Sequence, residues 1–144
     1  MWSWTANPRR FLVFAAEPME MNVAQILVVD DNPMIRTVIR SALEDAGHDV
    51  TTAASGERAL QAVAGDSAFD MILTDVVMPE MSGADLVRAL RTSSPSTKIL
   101  VMSGRIDGYA LRAMTSPKAL GAHGSIEKPF TSDRLVSKVA QVLG

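Results

Sequence analysis

The stretch ILVVDDNPM, Ile26 to Met34, passes directly from four apolar residues to two adjacent acids, Asp30 and Asp31. The apolar run has the length and composition of a buried strand, and Pro33 suits the first turn of a helix. Neighbouring carboxylates repel each other, and each is costly to remove from water unless a positive charge lies beside it. The stretch therefore predicts a strand, a turn and a helix, with a positive charge near the two acids.

The same alternation of apolar run and amphipathic stretch continues from Gln25 to the end of the chain. The predicted strands are QILVV, DVTTAA, FDMILTD, KILVMSG and AHGSIEKPF. The predicted helices are PMIRTVIRSALEDAG, SGERALQAVAG, SGADLVRALR, YALRAM and TSDRLVSKVAQVL. Five strands alternating with five helices predict an α/β fold with a parallel sheet covered on both faces. We expect one domain over residues 23–144, preceded by an N-terminal arm over residues 1–22 that is disordered or docked.

Composition excludes several classes of function. Of the 144 residues, 47% are hydrophobic and 21% are charged, as in an ordinary globular protein, and the net charge of −2 gives no basic field for nucleic acid. The absence of cysteine excludes disulfides, thiol catalysis and thiolate metal sites. The apolar run Phe11 to Ala16 is too short for a signal peptide or a membrane span. We therefore expect a cytoplasmic protein that binds neither membranes nor nucleic acid.

Polar residues follow four of the predicted strands. In a parallel α/β sheet, binding groups lie at the carboxyl ends of the strands, so these residues are expected to share one site. Clustered carboxylates favour a hard divalent cation such as Mg²⁺. The residues are Asp30 and Asp31 after the first strand, Asp75 after the third, Ser103 after the fourth and Lys128 after the fifth.

Asp75 is the candidate nucleophile of this site. A carboxylate can form an aspartyl phosphate when a metal and a lysine balance the charge of the transferring group. Ser103 offers a hydroxyl to a phosphoryl oxygen, and Lys128 offers a point charge. Pro79 and Gly83, in the loop after Asp75, are expected to hold backbone close to the site.

The motifs LVVDDNP, ILTDVVMPEMSG, ILVMSG and EKPF, in this order, resemble the receiver domain of two-component response regulators. The resemblance covers residues 23–143 and implies a flavodoxin-like doubly wound sheet with strand order 2-1-3-4-5. It implies that Asp30, Asp31, Asp75 and the carbonyl of Val77 hold Mg²⁺, and that Asp75 is the phosphoacceptor. Ser103 is then the switch hydroxyl and Lys128 the phosphate partner.

The resemblance also implies partners. The phosphoryl donor is expected to be a histidine kinase or a histidine phosphotransfer protein, acting on a monomer or weak dimer in two-component signalling or a phosphorelay. Because the chain ends directly after the last predicted helix, we expect a single-domain regulator. Its output is expected to be contact with a downstream protein through the face formed by the fourth predicted helix, the fifth strand and the last helix.

Two departures from the family pattern affect the expected output. Ser125 stands where the family usually has an aromatic residue that moves with the switch hydroxyl, so phosphorylation is expected to be intact and output altered. A ring from elsewhere, such as Tyr109, in that pocket would contradict this expectation. Gly108 and Pro117 predict that the fourth helix is short, shifted or mobile, because both residues weaken helix interiors.

Two other functions use the same residues. The first is a receiver-like binding module that no longer accepts phosphate, and the second is a Mg²⁺-dependent aspartyl-phosphate phosphatase. Such phosphatases usually carry a second acid two residues after the nucleophile, where this chain has Val77, so we expect a phosphoacceptor rather than a dedicated enzyme. The lone histidines His48 and His123 have no partner at metal-ligand spacing and are expected to be surface or loop residues.

Overall fold

The computed structural model describes residues 23–65, 68–104 and 121–144, which contain five strands and four helices. The predicted N-terminal arm and the predicted helix YALRAM, with Tyr109, lie outside the described residues. In chain order the elements are β1 Gln25–Val29, α1 Pro33–Asp45, β2 Asp49–Ala53, α2 Gly56–Ala64, β3 Met71–Asp75, α3 Gly83–Ser93, β4 Lys98–Ser103, β5 Gly124–Glu127 and α4 Ser132–Leu143.

The five strands form one sheet in the order β2-β1-β3-β4-β5, and every pairing is parallel. This confirms the doubly wound α/β fold and its predicted strand order. Strands β1, β3 and β4 are almost wholly buried, whereas the edge strands β2 and β5 expose some of their residues. The continuous apolar runs therefore mark the strands that are covered on both faces.

The core has one half on each face of the sheet, because successive side chains of a strand point to opposite faces. On one face, Ile26 and Val28 of β1 pack in the cluster that contains the buried residues of α1 and α4. On the other face, Leu27 and Val29 lie with the buried residues of α2 and α3. Covering both faces leaves the carboxyl edge of the sheet as the place where polar side chains can gather.

Polar caps begin the helices at that same edge of the sheet. Asn32 accepts hydrogen bonds from the backbone N–H groups of Met34 and Ile35 at the start of α1. Ser55 caps α2 by accepting from the N–H of Arg58, and Thr131 caps α4 by accepting from the N–H of Arg134. These caps place the helix N-termini, which carry partial positive charge, around the carboxyl ends of the strands.

The apolar stripe of α1 is wider than the surface that the sheet covers. Ile39, Ala42 and Leu43 are buried as their spacing predicts, but Met34 is 76% exposed and Val38 is 61% exposed. A helical period shows which residues share a face and leaves open how much of that face a neighbouring element covers. The first two turns of α1 therefore present apolar side chains to solvent.

Both histidines bond to backbone at the opposite edge of the sheet. His48 lies in the connection before β2, as predicted, but it is buried, and its Nδ1 accepts a hydrogen bond of 3.1 Å from the N–H of Ala24. His123, which is exposed as predicted, accepts one of 3.0 Å from the N–H of Ile99. Burial lowers the pKa of His48, and the nearby charge of Asp49 opposes this only in part. Both rings therefore act as acceptors that tie the connections before the edge strands to their neighbours.

Among the described residues, the helices are all too short or too polar to cross a lipid bilayer.

Candidate acidic site at the carboxyl edge of the sheet

The acids predicted from separate strand ends meet at one point. One carboxylate oxygen from each of Asp30, Asp31 and Asp75 lies within 4.8 Å of the others. The Nζ of Lys128 lies 3.1 Å from Oδ2 of Asp75 and 3.4 Å from Oδ2 of Asp30. Among the described residues, three acids and one ammonium give the cluster excess negative charge, which favours an added cation.

Asp30 is buried, and each of its polar atoms has a partner. Its backbone N–H donates to the carbonyl of Ala53, and its own carbonyl accepts from Nη1 of Arg36 at 2.6 Å. Its Oδ1 accepts from the N–H of Asn32 at 2.9 Å, while Oδ2 pairs with Lys128. Asp30 is therefore held firmly in place and joins the turn after β1 to the site.

Asp75 differs from Asp30 because one of its oxygens has no hydrogen-bond partner in the part of the chain that the structure describes. Oδ2 pairs with Lys128, but Oδ1 is buried and has no hydrogen-bond partner among the described residues. Burial raises the pKa of Asp75 above its usual value, and the charge of Asp30 adds to this, although the hydrogen bond and charge of Lys128 oppose it. A buried carboxylate oxygen without a donor is costly and indicates a place for a ligand.

Lys128 is held in its charged form by the acids. Burial alone would lower its pKa, but the hydrogen bond to Asp75 and the charges of Asp75 and Asp30 outweigh burial, so the pKa is raised. Its backbone N–H donates to the carbonyl of Ser103 at 2.7 Å, which ties the turn after β5 to the end of β4. The ammonium is therefore both positioned and permanently charged at neutral pH.

Ser103 and Val77 lie beside this cluster. Ser103 is buried at the end of β4, one residue beyond Met102, the register partner of Asp75. Val77 follows Asp75 by two positions, and its side chain is 56% exposed. The apolar side chain of Val77 cannot bind a cation, so any ligand from this residue must be its carbonyl oxygen.

The loop after β3 passes so close to Asp75 that only glycine fits at position 83. A Cβ on Gly83 would collide with the carbonyl oxygen of Asp75 and lie 2.7 Å from the Cα of Val76. The N–H of Gly83 donates to the carbonyl of Val76 at 2.7 Å. This confirms that Gly83 holds backbone against the site.

In the same loop Glu80 has a φ of 69°, a conformation that non-glycine residues rarely adopt.

An apolar groove of about 600 Å³ borders the site between α1 and the turn after β5. The exposed side chains of Met34 and Val38 form one wall, and Pro129 and Phe130, next to Lys128, form the other. Neither this groove nor the bond between Arg36 and Asp30 was predicted from the sequence. The only signal for the groove was the unusual width of the apolar stripe on α1.

Comparison with known proteins gives a consistent result. A family model described as the response regulator receiver domain matches residues 26–140. The chain is 35% identical over 121 residues to the chemotaxis protein CheY1 of Helicobacter pylori, which covers 83% of this chain and 97% of that protein. It is 39% identical over 123 residues to the DNA-binding transcriptional regulator NtrC of Azospirillum brasilense, covering 85% of this chain but only 25% of that protein.

Solved structures show the same likeness. The structure of the chemotaxis response regulator CheY4 of Vibrio cholerae superposes with a TM-score of 0.73 at 36% identity, covering 84% of this chain and 99% of that one. The structure of NtrX from Brucella abortus gives a TM-score of 0.77 at 30% identity, covering 84% of this chain and 27% of that one. The chain thus spans nearly all of some relatives and about a quarter of others.

Proposed function

The chain belongs to the response regulator receiver domain family, and from this premise we propose that it accepts a phosphoryl group on the carboxylate of Asp75. The donor is a phosphorylated histidine of a histidine kinase or a histidine phosphotransfer protein. One oxygen of Asp75 attacks phosphorus as the phosphorus–nitrogen bond breaks, and the leaving imidazole takes a proton from solvent. The product is an aspartyl phosphate.

The observation that carries this proposal is the environment of Asp75. A nucleophilic carboxylate must be ionised, and it needs nearby positive charge to accept a dianionic group. Lys128, at 3.1 Å, favours the ionised form against the effect of burial. The unpaired Oδ1 shows that the hydrogen bonds of this carboxylate are incomplete within the described residues.

The donor set fits Mg²⁺. It consists of carboxylate oxygens from Asp30, Asp31 and Asp75, which is the chemistry that this ion prefers. Because both carboxylate oxygens of Asp30 already accept hydrogen bonds, we assign the direct contacts to Asp31, Asp75 and the carbonyl of Val77, with Asp30 beside them. Bound Mg²⁺ would neutralise charge on the transferring phosphoryl group.

Lys128 and Ser103 are assigned the remaining roles. The ammonium of Lys128 pairs with Asp75 before transfer and is placed to pair with a phosphoryl oxygen afterwards, since its three donors rotate freely. Ser103 supplies its hydroxyl to the phosphoryl group from the end of β4. The polar members of the site thus lie at the ends of strands, where the sheet limits their movement.

The apolar groove supports a protein donor. A donor that brings a phosphohistidine to Asp75 must cover the rim around Lys128, and that rim includes Met34, Val38 and Phe130. Exposed apolar side chains that border a charged site are typical of surfaces that contact other proteins. We therefore propose that the donor packs on the first two turns of α1.

The proposed output is contact with a partner protein. We expect it to be altered because the chain lacks the aromatic switch residue that the family usually has at the position of Ser125. Ser125 lies in β5 opposite Val101 and has no ring to move when Ser103 engages the phosphoryl group. The change in surface on phosphorylation is therefore expected to arise from Ser103 and its backbone.

Val77 favours a phosphoacceptor over a phosphatase. Its side chain has no acid or base group that could speed hydrolysis of the aspartyl phosphate, so the phosphorylated form should persist.

The proposal is tested by incubating the protein with acetyl phosphate and Mg²⁺ and measuring its intact mass. Labelling that is lost in Asp75→Ala supports it. A wild-type protein that folds and binds Mg²⁺ but takes no label would instead indicate a receiver-like binding module.

A further inference from the structure

Arg36 makes a contact to which the proposed phosphoryl transfer assigns no role. It lies in the first turn of α1, and its Nη1 donates a partly buried hydrogen bond of 2.6 Å to the carbonyl of Asp30. Its own backbone N–H donates to the carbonyl of Asn32 at 3.1 Å. Side chain and backbone of Arg36 therefore both hold the turn between β1 and α1.

The partner of the guanidinium is a main-chain carbonyl, although two carboxylates lie in the same turn. Oδ1 of Asp30 accepts from the N–H of Asn32, and Oδ2 pairs with Lys128. Arg36 thus adds positive charge to the acidic turn without bonding to either of those oxygens. By contrast, Arg40, one turn further along α1, forms an ordinary exposed ion pair with Glu44 at 3.3 Å.

We propose that Arg36 is a positioning residue for the cation site. By fixing the Asp30 carbonyl, it sets the path of the backbone into Asp31, so the exposed Asp31 carboxylate is held facing Asp75 when a divalent cation arrives. This inference rests on the proposed function, because it assumes that the acid cluster binds Mg²⁺. Residues that orient metal ligands without touching the metal commonly contribute 10- to 100-fold to affinity.

The direction in which the Kd for Mg²⁺ changes when Arg36 is replaced distinguishes positioning from simple charge repulsion. A guanidinium near a cation site repels the cation, so removing its charge should tighten Mg²⁺ binding if charge is all that matters. If Arg36 positions the turn, its removal should weaken Mg²⁺ binding despite the lost repulsion. The two accounts therefore predict opposite changes in the same dissociation constant.

The test compares the wild-type chain of 144 residues with Arg36→Met, Arg36→Lys and the matched control Arg40→Met. The Kd for Mg²⁺ is measured by calorimetric titration with MgCl₂ alone, and circular dichroism checks that each variant is folded. We expect Arg36→Met to raise the Kd about 10-fold and Arg40→Met to change it less than 2-fold. Arg36→Lys, which keeps the charge but not the planar fork, should raise the Kd by a smaller factor, and it serves as the test if the methionine variant does not fold.

A second measurement separates positioning from a direct catalytic role. At saturating Mg²⁺ the extent of labelling of Arg36→Met by acetyl phosphate should return to that of the wild type, because the defect lies in binding the ion. A Kd for Arg36→Met equal to or lower than that of the wild type overturns the proposal. If the wild type binds Mg²⁺ but is not labelled, the phosphoacceptor function fails while the Kd comparison still decides the role of Arg36; a wild type that binds no Mg²⁺ overturns both.

Discussion

Lys128 and Asp75, which belong to segments 53 positions apart in the chain, place Nζ and Oδ2 3.1 Å from each other. The contact links the turn after β5 to the end of β3 across β4, the strand that lies between them. Since Asp30 shares the same ammonium, two buried carboxylates depend on one lysine. A more negative cluster should therefore destabilise the Mg²⁺-free protein but bind a cation more tightly. A less negative cluster should have the opposite effects.

Replacing Lys128 with methionine should destabilise the protein. The apolar stem is kept, but Asp30 and Asp75 lose their shared positive charge. Breaking a fully buried ion pair costs about 3–5 kcal/mol, and we expect roughly 1–3 kcal/mol here because the lysine side chain is 21% exposed. Urea denaturation without Mg²⁺ at neutral pH measures the change. Lys138→Met on α4 is the control, and equal stability of the two variants would contradict the prediction.

Replacing Asp75 with asparagine should stabilise the protein when Mg²⁺ is absent. The raised pKa of Asp75 means that the folded state favours the protonated form, so above that pKa the ionised carboxylate reduces the free energy of unfolding. We expect a gain of roughly 0.5–2 kcal/mol in Asp75→Asn.

Added Mg²⁺ should reverse this order. Wild type should gain about 2.7 kcal/mol at a Mg²⁺ concentration 100 times its Kd, and Asp75→Asn should gain less because it lacks a charged ligand. Thermal melts with and without MgCl₂ check both halves of the prediction. A lower melting temperature for Asp75→Asn than for wild type in Mg²⁺-free buffer would show that burial does not dominate the energy of this carboxylate.

Gly83→Ala should displace the loop after β3. Its Cβ would collide with the carbonyl oxygen of Asp75, and backbone cannot move as easily as the end of a side chain. Overpacking of this kind costs about 1–3 kcal/mol and should also slow labelling of Asp75. Gly65→Ala is the matched control because its nearest contact is an ordinary 3.4 Å to the carbonyl of Ala62. Similar losses of stability in both variants would rule out the close approach as the cause.

Acid should destabilise the protein through His48. In the unfolded chain the pKa of His48 is near the ordinary value of 6.5, whereas burial lowers it in the folded state. The unfolded state therefore binds more protons in the window below about pH 6.5, so stability falls as pH decreases and levels off below the folded pKa. Comparing unfolding free energies at pH 7.5 and 5.5 should show a shallower decline in His48→Gln than in wild type. His123→Gln, at an exposed position, should change the decline less, and equal slopes in all three proteins would refute this assignment.

The strands and the site were predictable because both follow from local patterns and one rule of topology. The runs in β1, β3 and β4 are apolar because these strands are covered on both faces, and in β1 the run ends where Asp30 begins the site. Parallel strands place their carboxyl ends at one edge, so Asp30, Asp75 and Lys128 could be assigned to a common site without any structure.

The hydrogen bonds that Arg36 and His48 make to backbone atoms could not be predicted. Every residue has a carbonyl and nearly every residue has an N–H, so the sequence does not indicate which backbone group a side chain will bond. This applies to the bond from Arg36 to the carbonyl of Asp30 and to the bond that His48 accepts from the N–H of Ala24. The exposure of Met34 depends on how far the turn after β5 extends over α1, which is a tertiary property. These are also the features that give the site its positioning and its apolar rim.

The intact mass of the 144-residue protein after incubation with acetyl phosphate and Mg²⁺ decides whether Asp75 is a phosphoacceptor. We expect a gain of one phosphoryl group that depends on Mg²⁺, falls strongly in Lys128→Met and disappears in Asp75→Ala. Peptide mapping should place the modification on Asp75. Labelling that persists in a folded Asp75→Ala variant, or a wild type that binds Mg²⁺ yet never gains the phosphoryl mass, would contradict this assignment.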